Sequence, residues 1–272
     1  MKIQFLFVLL FFGCISVGKA QLNTTELDAL LEKSKKSLGN DAVALIYKDG
    51  KIVYKKKMGE YFDEKTQVPI ASSSRWLTAA LIFQYIDEGK ISLETPIADY
   101  LPIYATYGKK YITIRHCLSD LIGIESKKWS ITEPGKFESL EAMVDDYAKR
   151  EIRANTGTDF WYSNMGLNIA ARVLEKITKK GFEQLMTQKL LRPLNMKNTS
   201  FSSLNNRAVN PASGAASTAN DYMNFLAMLL NKGLHNGKQI LSAKSVDELL
   251  ALQTKNIPVT YAPKEAAGID FG

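Results

Sequence analysis

Three consecutive serines, Ser72 to Ser74, lie directly before an apolar stretch that has the composition of a buried helix. Arg75 follows Ser72 by three residues, so on a helix the two side chains share one face. The positive end of a helix dipole favours negative charge that develops on a nucleophile there. The pattern therefore predicts serine chemistry at Ser72. Serines before a helix are also typical N-caps, and we expect one of the three to cap this helix in either case.

Other forms of catalytic chemistry are disfavoured by the residues available. The chain has two histidines, His116 and His235, and neither has a metal-ligand companion at helical spacing. A Ser-His-Asp site would need one of them, yet both are expected to be structural or solvated. Cys117 lies in an apolar context typical of a small core residue. No glycine-rich phosphate loop follows a strand. We therefore expect no metal or organic cofactor, and a serine nucleophile that is served by a base other than histidine.

The elements that must position Ser72 are predicted from local signals. Asp49-Gly50 between two apolar, β-branched runs predicts a β-hairpin. Residues 72–89 are apolar on nearly every face and predict a buried central helix. Other helices are predicted behind a Thr24/Thr25 cap, within 112–124, and at 165–178, 182–190, 219–231 and 245–252.

One of these helices carries a recognisable start signal. Thr218 precedes the helix at 219–231, and Asp221 follows it by three residues, which predicts a capping box. No internal repeat, low-complexity tract or linker interrupts residues 21–260. These observations predict a single folded domain over residues 21–272.

The N-terminus predicts export. Lys2, an apolar run to Phe12 and small residues ending at Ala20 have the layout of a secretory signal over residues 1–20. The apolar run is too short for a stable membrane span. A lipoprotein anchored at Cys14 is the less favoured alternative, because Phe11 is a poor fit three residues before a lipidated cysteine. We expect a secreted or periplasmic protein.

The basic charge does not predict a nucleic-acid partner. The formal net charge is +7, and it falls to +5 when residues 1–20, which contain two lysines, are removed. The remaining cations are dispersed among acids, which is typical of a solvated surface. We therefore expect a small-molecule or peptide substrate.

Five segments resemble the serine β-lactamase and penicillin-binding-protein superfamily, particularly its branch of class C β-lactamases, D-alanyl carboxypeptidases and related esterases. IASSSRWLTAALIFQYIDEGKISLETPIADYLP is similar to the family's nucleophile helix and following loop. ITIRHCLSDLIGI resembles the next block, with Asp120 and Ile122 where His and Ser are usual. FWYSNMGLNIAARVLEKIT contains the Tyr-x-Asn motif at Tyr162 to Asn164. LLRPLNMKNTSF and GAASTANDYMNFLAMLLNKG match later stretches in the family's order.

The resemblance implies roles for individual residues. Ser72 would be the nucleophile, and its own backbone N–H would be one donor to the oxyanion. Tyr162 would be the general base or proton shuttle, and Asn164 would bind the substrate amide. The reaction would be acyl transfer through a serine ester followed by hydrolysis. On the residues alone, Tyr162 to Asn164 could instead be a turn in which Asn164 caps the next helix.

Two departures from the family pattern bear on activity. Arg75 stands where the family has lysine, and a guanidinium keeps the positive charge but cannot take part in a proton relay. The family's third motif, a Lys/His-Thr/x-Gly triplet, is not found after residue 214. We expect a domain that lacks its C-terminal strands.

The resemblance implies an α/β (α+β) fold of β-lactamase/transpeptidase type, an antiparallel sheet flanked by helices with a mostly helical subdomain. The favoured function is that of a secreted serine hydrolase that acts on a peptide, ester or lactam. Substrates derived from the cell wall fall within this class. The alternative is a catalytically impaired binding protein that keeps the pocket.

Overall fold

The computed structural model describes residues 23–126, 137–201 and 207–264. The predicted signal peptide and the final segment AAGIDFG lie outside the described residues. Within them, no helix combines the length and apolar character needed to cross a membrane.

Short helices surround two longer central ones. The helices of the described residues are α1 (Thr25–Ser34), α2 (Ser74–Asp87), α3 (Ile103–Thr106), α4 (Ile114–Leu118), α5 (Leu140–Lys149), α6 (Met165–Thr178), α7 (Phe182–Met186), α8 (Ala219–Leu230) and α9 (Ala243–Leu249). The strands are β1 (Ala42–Lys48), β2 (Lys51–Met58), β3 (Val68–Pro69), β4 (Phe160–Trp161), β5 (Ala216–Ser217), β6 (Leu234–His235), β7 (Lys238–Gln239) and β8 (Val259–Tyr261).

The predicted hairpin is present as β1–β2. Its turn has positive φ at both Asp49 (50°) and Gly50 (81°), the type I′ geometry that an Asp-Gly turn favours. In the described residues the other ladders are short: β3 pairs with β5 and β6 with β7 antiparallel, whereas β4 pairs with β8 in parallel. The described residues are thus built of helices with small two-stranded sheets.

Helix α2 is the centre of the hydrophobic core, as its composition predicts. Leu77, Leu81 and Ile82 are fully buried, and burial of each such side chain contributes about 1.5–3 kcal/mol. Helix α2 packs against α6, which also packs against α4 and α5. A Cβ on Gly166 of α6 would lie 2.1 Å from the carbonyl oxygen of Cys117 in α4, so only glycine allows this close approach. Cys117 is buried in the core, as predicted.

Two of the predicted caps are wrong, and a third prediction is half confirmed. Ser73 occupies the N-cap position of α2 without a side-chain cap hydrogen bond, because a 3₁₀ turn at Ala71–Ser73 leads into the helix. Thr24 before α1 also makes no such bond. Thr218 does accept a hydrogen bond from the backbone N–H of Asp221 (3.1 Å), but the Asp221 carboxylate binds elsewhere, so the capping box is only half formed.

Candidate active site

Ser72 lies in the 3₁₀ turn that precedes α2 and is partly buried. The preceding residue, Ala71, has a φ of 43°, a left-handed conformation that is strained for a residue with a Cβ. Strain of this kind persists where surrounding structure enforces it, and it clusters at functional sites. Among the described residues, the Ser72 hydroxyl has no hydrogen-bond partner. It is therefore free to meet a ligand.

Arg75 is held by three groups. One guanidinium nitrogen donates to the carbonyl oxygen of Ser163 at 2.7 Å, and another donates to Oδ2 of Asp120 in an ion pair. The guanidinium carbon lies 4.7 Å from the centre of the Tyr162 ring, which is a cation–π contact. The positive charge thus faces the ring of Tyr162 and is already paired with a carboxylate.

Asp120 is a buried acid in a strained conformation. Its side chain is 4% exposed and its φ is 57°. Burial raises its pKa from the ordinary 3.8 to about 6, while the charge of Arg75 and the backbone N–H of Ser163 limit the rise. Oδ1 is buried and has no hydrogen bond of normal geometry in the described residues, so the Ser163 N–H contributes a weak contact at most.

The Tyr-x-Asn motif lies between β4 and α6. The backbone N–H of Tyr162 donates to the carbonyl oxygen of Tyr261 at 2.9 Å, which fixes the motif against β8. Asn164 is at the N-cap position of α6, but its side chain makes no cap hydrogen bond; its Nδ2 donates to Ser213 Oγ at 3.3 Å instead. The capping alternative for Asn164 is therefore not seen.

A cavity of about 230 Å³ connects these residues. Ser72, Arg75, Asp120 and Tyr162 line one part of it, and most of its wall is apolar. Asn164, by contrast, is not among the lining residues and is almost completely buried. The structure therefore brings three of the four predicted site residues to one cavity, and the fourth, Asn164, does not line it.

The cavity is also lined by an ion pair that the sequence did not suggest. Arg115 donates to Glu248 at 2.8 Å, and both residues lie on the cavity wall with Gln253. Arg115 and Glu248 are far apart in sequence and carry no motif. Asp120 was also missed as a partner of Arg75, although its departure from the family pattern was a usable signal.

Neither histidine lies at the cavity. The Nδ1 of His116 bonds to the Thr113 hydroxyl at 3.0 Å and forms a reciprocal cap at the start of α4, and burial lowers its pKa. The described part of the chain contains no cluster of three or more acidic, histidine or cysteine side chains that could hold a metal ion. The chemistry available in the cavity is thus that of a serine hydroxyl, a phenol and a buried Arg–Asp pair.

A helix-borne serine that faces a tyrosine across a cavity is an arrangement suited to acyl transfer by a serine hydrolase. The sequence profile of the Beta-lactamase family matches residues 28–268, and the chain belongs to this family of serine hydrolases.

Individual relatives agree with this assignment. The chain is 28% identical to protein flp of Staphylococcus aureus (strain N315) over 64% of its own length and 37% of that protein. It therefore spans well under half of this curated relative.

Two solved structures share the fold. A β-lactamase-like protein from Bacteroides dorei DSM 17855 superposes with a TM-score of 0.79 at 25% identity, over 91% of this chain and 75% of that one. The octameric penicillin-binding protein homologue from Pyrococcus abyssi gives a TM-score of 0.73 at 20% identity, over 85% and 61%.

Proposed function

We propose that the protein is a serine hydrolase that forms an acyl-enzyme on Ser72. The observation that carries the proposal is the hydroxyl of Ser72, which is unbonded among the described residues and lies on the same cavity as Tyr162. The strained backbone at Ala71 adds support, because such strain is stable only where the fold enforces it.

The proposed reaction uses few groups. The Ser72 oxygen attacks the carbonyl carbon of the substrate while Tyr162, reacting as the phenolate, accepts the hydroxyl proton. The backbone N–H of Ser72, at the turn that leads into α2, stabilises the oxyanion. Tyr162 returns the proton to the leaving group, and water then hydrolyses the ester. Asn164, which does not line the cavity, would bind the substrate amide only if its side chain turned toward the cavity.

The substrate class we propose is a small peptide, ester or lactam. The cavity volume and the apolar wall fit an acyl group of modest size rather than a long polymer. A peptide derived from the cell wall is included in this proposal, because the chain shares its fold with the penicillin-binding protein homologue from Pyrococcus abyssi.

The test compares two neighbouring serines. Ser72→Ala is expected to abolish hydrolysis of p-nitrophenyl esters and labelling by a fluorescent penicillin. Ser73→Ala is the matched control, because Ser73 is exposed and, in the described residues, it forms hydrogen bonds through its backbone alone. Ser73→Ala should keep measurable activity. Equal loss in both variants, or activity that survives Ser72→Ala, would remove Ser72 from the mechanism.

A second candidate is a non-catalytic binding protein of the same family. It is favoured by Arg75, which is committed to Asp120 and the Ser163 carbonyl and cannot accept a proton. A protein of this kind would bind a cell-wall peptide in calorimetry with equal affinity before and after Ser72→Ala, and would show no acylation by mass spectrometry.

We propose further that residues 1–20 direct export and that residues 21–272 belong to one β-lactamase-related domain. Expression with residues 1–20 should place the protein in the periplasm or medium, with a mature N-terminus at Gln21 by mass spectrometry. A mature N-terminus at a lipidated Cys14 would favour the lipoprotein alternative.

A further inference from the structure

Two residues that depart from the family pattern are bonded to each other. Arg75 replaces the family lysine, Asp120 replaces the usual histidine, and their side chains form an ion pair. The two positions are 45 residues apart in sequence. The pair is well buried, with 13% of the Arg75 side chain and 4% of the Asp120 side chain exposed.

Few other titratable groups of the described residues lie near the charges of Arg75 and Asp120. Besides Arg75, the titratable groups of the described residues near Asp120 are the Tyr162 phenol on the same cavity and the Cys117 thiol one turn before it. The other charges on the cavity wall, Arg115 and Glu248, are paired with each other. Removing either member of a buried pair leaves an uncompensated charge, which is strongly destabilising.

We propose that Asp120 is the fixed counter-charge of Arg75 and that the two residues together occupy the functional place of the family lysine. Asp120 holds the guanidinium against the Tyr162 ring and cancels its charge. Asp120 is thus a positioning residue, and the site around Ser72 contains a neutral pair where a single cation would otherwise lie.

The proposal predicts why one substitution alone cannot restore a proton acceptor. A lysine introduced at position 75 would meet the Asp120 carboxylate, and an adjacent negative charge favours the protonated ammonium. Such an ammonium cannot act as a base. The ammonium would lose its proton readily only if the negative charge of Asp120 were removed as well. The catalytic consequence rests on the proposed function, whereas the pairing itself does not.

The kinetic test uses the rate of Ser72 acylation by a p-nitrophenyl ester. Arg75→Lys alone should leave the rate unchanged or lower, and Asp120→Asn alone should give no gain because a guanidinium still cannot accept a proton. Arg75→Lys with Asp120→Asn should be at least about tenfold faster than Arg75→Lys, since general-base help is worth roughly 10²–10⁴. The pH–rate profile of the double variant should show a new basic limb.

A matched control comes from a second Arg–Asp pair. Arg153 pairs with Asp159, whose side chains are 20% and 12% exposed, and neither residue lines the cavity. Asp159→Asn combined with Arg75→Lys should give no gain in rate. The proposal is overturned if the double variant Arg75→Lys with Asp120→Asn is folded and is no faster than Arg75→Lys alone.

Measurements of Tm test whether Arg75 and Asp120 are paired, independently of any enzymatic activity. Arg75→Met leaves the Asp120 carboxylate buried without its partner, so the loss in Tm should grow between about pH 5 and pH 8 and reach on the order of 10 °C. Adding Asp120→Asn should recover most of that loss. A pH-independent loss that Asp120→Asn does not reverse would overturn the proposal. If no variant shows Ser72-dependent acylation, the proposed function fails, and the Tm comparison still decides whether the residues are paired.

Discussion

The two ends of helix α2 differ in how their polar groups are satisfied. At the C-terminal end, Gly89 has a φ of 67° and its backbone N–H donates to Ile86 at 2.9 Å, while that of Lys90 donates to Tyr85 at 3.0 Å. This pair of bonds is a Schellman motif, which satisfies the last carbonyl groups of the helix.

Side chains reinforce the same end. The Asp87 carboxylate accepts hydrogen bonds from the backbone N–H and hydroxyl of Ser242 and from the hydroxyl of Ser245, each at 2.7 Å. These bonds connect α2 to the start of α9. The C-terminal end is therefore closed and anchored.

The N-terminal end has the opposite character. No serine side chain caps it, Ala71 is strained, and Ser72 has a hydroxyl without a partner in the described residues. The buried ion pair at this end joins Arg75 to Asp120. The Ser72 hydroxyl is the group at this end that a ligand can meet. The contrast is between one end of α2 that is anchored by hydrogen bonds and another that presents the proposed nucleophile to the cavity.

The largest expected effect is a pH dependence of stability that originates at the N-terminal end. Asp120 has a pKa of about 6 when folded and 3.8 as its ordinary value, so between these values the folded protein holds more protons. The free energy of unfolding should therefore fall as pH rises from about 4 to about 6, by about 3 kcal/mol relative to Asp120→Asn. Urea unfolding of both proteins at several pH values measures this difference. A constant difference across the range would show that burial does not shift this group.

At the C-terminal end, Asp87→Ala should lower the free energy of unfolding by about 1–2 kcal/mol. Three hydrogen bonds are lost, but Asp87 is exposed and solvent partly replaces them. Asp99→Ala is the control, because Asp99 is exposed and its side chain makes no hydrogen bond in the described residues; its effect should stay within about 0.5 kcal/mol. Equal effects in chemical denaturation would contradict the anchoring role of Asp87.

The smallest expected effect concerns the strain before Ser72. Ala71→Gly removes the Cβ that makes a φ of 43° unfavourable, which offsets the greater freedom of glycine in the unfolded chain. We expect the variant to be between equally stable and about 1 kcal/mol more stable. Ala79→Gly within α2 should instead cost about 1 kcal/mol. Similar losses in both variants would argue that Ala71 is not strained.

Elements with strong local signals were predicted well. The hairpin at Asp49-Gly50 and the helix at 165–178 match the structure, because turn chemistry and apolar periodicity act over a few residues. The predicted helix at 182–190 becomes α7 followed by a π-helical turn at Thr187–Leu191. Both parts bury apolar residues, so the apolar pattern alone does not distinguish them.

Caps were predicted less well, since a polar side chain near a helix end can bind elsewhere. Asp221 accepts hydrogen bonds from the backbone N–H of Asn198 at 2.7 Å and the hydroxyl of Thr199 at 2.9 Å. Ser74 donates to the carbonyl oxygen of Ala71 at 2.6 Å and accepts from Ala215 at 3.0 Å. These partners come from tertiary contacts that no local spacing encodes.

The sequence by itself determined the family, the central helix and the spacing of Ser72 and Arg75, because these depend on short patterns and on their order along the chain. Only the tertiary structure decided what Arg75 binds. Packing of α4 against α6 brings Asp120 to the start of α2, and a buried guanidinium must find a negative partner because its desolvation is otherwise too costly.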